Sequence, residues 1–186
     1  LLVIDPADIH IGKLCSAYET GDEYNVQIAR KRVIEGVAGI LNKANGFNID
    51  KILLIIGNDI LHVDTPKNTT TSGTSQDTEL MWYDAFKFAQ SLYIDLIEML
   101  LPIAPITVHY NPSNHDYTNG FFLAQTIQAW FSKCPSITFN VNISHRKYFT
   151  YGNSLIGTSH GDGAKETDLA LLMAHEASGH WDKCKN

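Results

Sequence analysis

Lys51-Ile52-Leu53-Leu54-Ile55-Ile56-Gly57-Asn58-Asp59 is the stretch whose reading decides the fold. Five aliphatic residues run without a break, and a glycine closes them. An apolar run this short and this rich in isoleucine reads as a strand buried on both faces of a parallel sheet. Gly57 ends the strand, and the Asp59 carboxylate emerges at its C-terminal end. Ligands of open α/β sheets bind along that edge. A carboxylate there is poorly solvated unless a cation meets it. Asp59 therefore has two readings: it caps a turn or the next helix, or it bridges a pair of metal ions.

Upstream, Leu1-Leu2-Val3-Ile4 is a short strand ended by Asp5-Pro6. Asn25 to Asn45 carries Val26, Ala29, Val33, Val37, Ile40 and Leu41 near helical spacing, with Arg30, Lys31 and Arg32 on the other side. Asn25 is its expected N-cap and Asn45-Gly46 its stop. Strand, helix and strand in this order make the unit of a parallel sheet with a right-handed crossover. Between the first strand and the helix lies Asp8-Ile9-His10. On an extended segment, side chains two apart point the same way. One carboxylate and one imidazole then reach one ion, although the pair is common by chance.

Downstream, His62 either faces the site or packs beneath the following loop. Pro66 to Asp77 is polar and without periodicity, either a substrate lid or disordered chain. Glu79 to Leu101 reads as a helix whose aromatic and aliphatic residues are core. Ile106 to Tyr110 is a third strand that delivers Asn111-Pro112-Ser113-Asn114-His115-Asp116. Asn114 offers a carbonyl oxygen to a metal, and His115 with Asp116 makes an acid oriented by a carboxylate. The competing reading is an Asx-turn that caps a helix over Phe121 to Phe131. Ser136 to Asn142 and His145 to Tyr151 alternate like strands, and Gly152-Asn153 is a hairpin signal before Ser154 to Thr158. The second half of the sheet is thus expected to be partly antiparallel. His160 follows at a strand end, flanked by Gly161 and Gly163. Lys165 to Ala177 is a last helix, with His175 and His180 at the surface.

The chain of 186 residues is long enough for one domain with a sizeable core. No apolar run approaches the roughly 20 residues of a bilayer span, and the start of the chain predicts no signal peptide. Cys15, Cys134 and Cys184 are odd in number and far apart, with no CxxC. That predicts reduced thiols, a cytoplasmic location and no structural zinc. The net charge of −6 argues against a broad DNA groove but not against a phosphate-handling site.

Four strand ends now carry metal-type residues in order: Asp8 and His10, Asp59, Asn114 and His115, His160. Hard oxygen plus imidazole without thiolate suits Mn²⁺, Fe or Zn²⁺ in an octahedral site. The ordered set resembles the calcineurin-like metallophosphoesterase superfamily. Its pattern is Asp-x-His, Gly-Asp or Gly-Asn-Asp, Gly-Asn-His-Asp/Glu, a lone His, then Gly-His-x-His. The matches are Asp8-Ile9-His10, Gly57-Asn58-Asp59, Ser113-Asn114-His115-Asp116 and Ser159-His160-Gly161. Asp8 to Lys13 looks most like the DNA-repair exonuclease branch, and the polar loop and general layout look like phage-encoded members.

The resemblance implies an α/β fold of the metallophosphoesterase type. That is a β-sandwich with flanking helices in α-β-β-α layers, its sheets mixed parallel and antiparallel. It implies two divalent ions, Mn²⁺ first, with Fe, Zn²⁺ or Ni²⁺ as alternatives. Asp8, His10 and Asp59 would hold one ion, and Asp59, Asn114 and His160 the other. His115 would protonate the leaving oxygen, with Asp116 orienting it, while a metal-bridging hydroxide attacks a phosphodiester. DNA is a candidate substrate. Two alternatives share these ligands: a phosphomonoesterase, and a non-catalytic, metal-poor scaffold. Ser113 stands where the pattern has Gly. No Gly-His-x-His is found, since Gly179-His180-Trp181-Asp182 has Asp in the last place. The 186 residues are therefore expected to be one domain of a longer protein, without its final histidine segment.

Overall fold

A computed structural model describes residues 1–184 of the chain. The Lys51 stretch forms β2 (Ile52–Gly57), buried along its whole length. It lies between β1 (Leu2–Ile4) and β3 (Ile106–Asn111) in a parallel sheet, and β4 (Ile137–Asn140) forms the far edge. Strand order follows sequence order. Right-handed crossovers then send every connecting helix to the same face. A single turn, α1 (Ala17–Thr20), precedes α2 (Val26–Lys43), and α3 (Trp82–Leu100) and α4 (Tyr117–Trp130) complete that layer. Ile52, Leu54 and Ile56 share one core with Val108, Tyr110, Ala29, Leu92, Leu96 and Ile127. Leu53 and Ile55 alternate to the other face.

That other face is covered by a separate antiparallel pair, β5 (Arg146–Tyr151) and β6 (Ser154–Ser159). Patterning alone placed this hairpin within a partly antiparallel sheet. It packs on the parallel sheet instead of extending it, and the preceding strand, β4, pairs parallel to β3. The predicted turn is present: Tyr151 pairs with Ser154, and Gly152 supplies a φ of +55°. Thr158 donates to the Asn111 carboxamide oxygen at 3.2 Å, and the Phe149 ring meets His109 edge-on with centroids 5.9 Å apart. A 3₁₀ turn at Glu166–Asp168, α5 (Leu169–Glu176) and α6 (Ser178–Trp181) follow. Arg146 grips Glu176 through Nε at 2.9 Å and Nη2 at 2.6 Å, and the Tyr148 hydroxyl donates to the same carboxylate at 2.7 Å. The Arg146 bond first, then that of Tyr148, pulls the Glu176 carboxyl down to about 2.

Helix ends depart from the pattern where distant groups intervene. Asn25 caps α2 by accepting from Ile28 at 2.9 Å, as predicted. The Glu79 carboxylate also accepts from the Val26 amide at 2.8 Å, and the Glu79 amide donates to Gly12 at 2.8 Å. Glu79 is thereby held outside α3, which starts three residues later at Trp82. The helix expected over Phe121 to Phe131 starts instead at Tyr117. The one expected over Lys165 to Ala177 is broken into a 3₁₀ turn and α5. Cys15, Cys134 and Cys184 are free thiols. Among the described residues no helix is long and apolar enough to cross a membrane.

Lys147 of β5 is 3% exposed and points between the two sheets. Its ammonium donates to the carbonyls of Asn142 and Ser144. Burial lowers its pKa from 10.5 to about 8. Between those values the unfolded chain binds the extra proton, so folding stability rises as pH climbs from about 8 to 10.5. The gain in wild type is on the order of 2 kcal/mol. It is absent from Lys147→Met, as paired urea titrations at pH 8 and pH 10 will show.

Candidate metal centre

The rim of the sheet is built by backbone pairing that outlasts the strands. Beyond β1 and β2, Asp8 donates to Asn58 at 2.8 Å, His10 to Asp59 at 2.9 Å and Ile11 to Ile60 at 2.7 Å. His62 then donates to Ile11 at 3.1 Å. The two loops therefore run side by side. Asp8, His10, Asn58 and Asp59 all have positive φ, between 47° and 64°. This corrects the expectation of an extended Asp-x-His. Left-handed backbone at both 8 and 10, a conformation Asp, Asn and His tolerate best, brings the pair to the rim, while Ile9 between them is buried. Gly57 permits the turn into this loop. A Cβ on it would lie 1.9 Å from the Asn111 carbonyl oxygen.

Asp59 sits at the middle of the site, only 5% exposed. Its Oδ2 is 3.8 Å from His10 Nε2 on one side and 3.7 Å from His160 Nε2 on the other. Asp8 Oδ1 is 3.9 Å from the same His10 nitrogen, and Asn114 Oδ1 is 2.9 Å from His160 Nε2. The structure thus brings Asp8, His10, Asp59, Asn114 and His160 to one place. Burial first, with His115 and Lys13 adding to it against the pull of Asp59, lowers the His10 pKa to about 4. Its imidazole is neutral at neutral pH, as a metal ligand must be.

His115 is also at the rim, its ring centroid 4.6 Å from that of His10. Its amide donates to Asp59 Oδ1 at 3.3 Å. The partner of its Nδ1 is the carbonyl oxygen of His62, 2.9 Å away. The orienting role given to Asp116 therefore does not hold. Asp116 is fully buried and accepts from the Leu61 amide at 2.8 Å and from the Ser113 hydroxyl. Burial raises its pKa to about 6, against the opposing pull of those two bonds. It ties the 59–62 loop to the start of α4. Ser113, where the family pattern has Gly, needs no positive φ and supplies one of these bonds.

His62, which the sequence left between two readings, faces the site. Its Nδ1 is 3.4 Å from His10 Nδ1, and its ring stacks on His115 at 5.4 Å. Burial, then His10 and His115, lowers its pKa to about 4. The Pro66–Asp77 loop packs against the rim. Thr71 donates its amide to Asn114 at 3.2 Å and its hydroxyl to Asp64 at 3.0 Å. Asp5 is a further carboxylate that the motifs missed. It accepts from the Asn58 side chain at 3.1 Å, and burial raises its pKa against that bond.

The donor set fits divalent ions. An ion bonded at about 2.1 Å to nitrogen and oxygen bridges gaps of 3.7–3.9 Å such as these. The imidazoles beside Asp59 Oδ2 stand too far away to be hydrogen-bond donors. A buried carboxylate so placed calls for a cation.

Asp64 caps α4 from outside: its Oδ1 accepts from Thr118 at 3.0 Å and Asn119 at 2.7 Å. Asp64→Ala should lower stability by about 1–2 kcal/mol, read from the urea midpoint. Hydrogen-exchange protection should fall first in the opening turn of α4. Comparison with family models, curated proteins and solved structures gives no match to this chain.

Proposed function

We propose that this chain is a two-metal phosphoesterase of the calcineurin-like kind, acting on phosphodiesters, with DNA as a candidate substrate. The observation that carries the reading is the Asp59 carboxylate, whose one oxygen lies 3.8 Å from His10 and 3.7 Å from His160. Asp8, His10 and Asp59 would hold one ion, and Asp59, Asn114 and His160 the second. Two ions of the Mn²⁺ class held there would supply positive charge and lower the pKa of water enough to provide a hydroxide nucleophile at neutral pH. The layering of helices, parallel sheet, hairpin and helix is compatible with the metallophosphoesterase-type sandwich.

The remaining work belongs to the chain. His115 donates through Nδ1 to the His62 carbonyl, so Nε2 is its free nitrogen. A proton carried on Nε2 is the one to pass to the leaving oxygen. The His62 carbonyl does the orienting first assigned to Asp116. Two cavities open on either side of Lys13, of about 350 and 280 Å³, and His10 lines both.

The test is Mn²⁺-dependent hydrolysis of bis(p-nitrophenyl) phosphate, set against p-nitrophenyl phosphate. Turnover of the diester above the monoester is expected; the reverse order makes the chain a phosphomonoesterase. Asp59→Asn should weaken binding of both ions in elemental analysis. Loaded with Mn²⁺, His115→Ala should keep that metal and lose about 10²–10⁴ in turnover. Metal loss in His115→Ala equal to that in Asp59→Asn refutes the proton-donor role.

A further inference from the structure

We infer that His10, His62 and His115 form a second, all-nitrogen metal site, one that takes a borderline cation of the Zn²⁺ class and competes with the carboxylate centre for His10. Each imidazole offers one ring nitrogen, and the three nitrogens lie within 4.8 Å of one another. The Nδ1 atoms of His10 and His62 are 3.4 Å apart. Two nitrogens bonded to one tetrahedral zinc at about 2.0–2.1 Å lie about 3.3–3.4 Å from each other. The His10–His62 edge already has that length, and the His62 ring, now near parallel to that of His115 at 19°, turns about its χ2 bond for all three lone pairs to meet at one ion.

The third nitrogen is fixed by the backbone. His115 uses Nδ1 to donate to the His62 carbonyl at 2.9 Å, which leaves the Nε2 lone pair free. The cluster faces a cavity of about 350 Å³, shared with Lys13, Gln76 and Asp77. A fourth position is therefore open to water or to the Asp77 carboxylate. Three imidazoles without an anionic oxygen suit Zn²⁺, Ni²⁺ or Cu²⁺, whereas carboxylate oxygens suit Mn²⁺. The two centres thus differ in the ions they prefer.

They also exclude each other. His10 turns Nε2 to Asp8 and Asp59 and Nδ1 to His62. A neutral imidazole has one lone pair, since its other nitrogen carries the proton. His10 cannot serve both ions at once. Filling the three-histidine site therefore strips the carboxylate centre of a ligand and ties up His115. Inhibition by excess zinc is the expected consequence, and that consequence alone rests on the phosphoesterase reading.

The probe is Co²⁺, whose tetrahedral complexes absorb visible light far more strongly than octahedral ones. Metal-free wild-type protein, Asp59→Asn, Asp8→Asn, His62→Ala and His62→Gln are each titrated with Co²⁺, with circular dichroism confirming their folds. Wild type and the two carboxylate variants should develop the strong band. Both His62 variants should lose it or need at least tenfold more Co²⁺. No band in wild type, its retention in the His62 variants, or its loss in both carboxylate variants overturns the site. A protein that shows the expected pattern but hydrolyses no phosphoester keeps the three-histidine site and loses the reading of the carboxylate centre.

Discussion

Three peptide hydrogen bonds beyond the ends of β1 and β2 hold the site together: Asp8 to Asn58, His10 to Asp59 and Ile11 to Ile60. They extend the parallel pairing into two loops that would otherwise diverge. Their geometry requires left-handed backbone at Asp8, His10, Asn58 and Asp59. Each such residue costs about 1 kcal/mol or more. Burial of Ile9, Ile11, Ile60 and Leu61, each at most 3% exposed, offsets that strain, since a fully buried large aliphatic is worth about 1.5–3 kcal/mol. The polar residues are held in strained conformations by the apolar residues between and beside them. Strain concentrated at a rim of carboxylates and imidazoles is what a preorganised binding site looks like.

The parts of this arrangement legible in the sequence are those with a local cause. Ile52 to Ile56 reads as a doubly buried strand, and β2 runs from Ile52 to the Gly57 that closes it. The hairpin at Gly152-Asn153 followed from its turn residues. Asp8, His10, Asp59, Asn114 and His160, which the structure gathers at one rim, stand out in the sequence because each lies just past a strand or its turn. What the sequence hid depends on contacts between distant residues. The start of α4 is set by Asp64, more than fifty residues upstream of the amides it caps. His62 turns inward because its loop is stitched to Ile11 and its carbonyl meets His115. Asp116 looked like a catalytic partner because it follows His115. Its real neighbours are Ser113 and the Leu61 amide.

Asp116 and Asp59 show two ways of burying a carboxylate. Asp116 accepts a hydroxyl and an amide, and burial raises its pKa to about 6. It is satisfied by the protein and needs no cation. Asp59 has one amide on Oδ1, and on Oδ2 only imidazoles too distant to donate. Buried anions of the second kind persist where something else supplies positive charge. The contrast separates an acid satisfied by the protein from one left open to a cation, and the two lie on loops joined by the Leu61 amide bond to Asp116.

The same accounting bears on where a phosphate could be held. Asn114, His115 and Asp116 lead straight into α4, and a helix N-terminus is a ready anion site. Here it is already taken. Asp64 accepts from Thr118 and Asn119, the free amides of the first turn, and Thr71 Oγ1 accepts from the Tyr117 amide at 3.2 Å. The negative charge of Asp64 also cancels the partial positive charge of the helix end. A substrate anion at the rim therefore gains little from α4. With His10 and His62 neutral at neutral pH, Lys13, which lines both flanking cavities, is left as a cationic side chain beside the site. Lys13 amid Asp5, Asp8 and Asp59, with Arg32 of the second cavity already paired to Asp22 at 2.8 Å, does not make an anion receptor. On the proposed reading, the positive charge that draws a phosphoester to this rim would come from bound cations, and the acidic net charge of the chain is no obstacle to that.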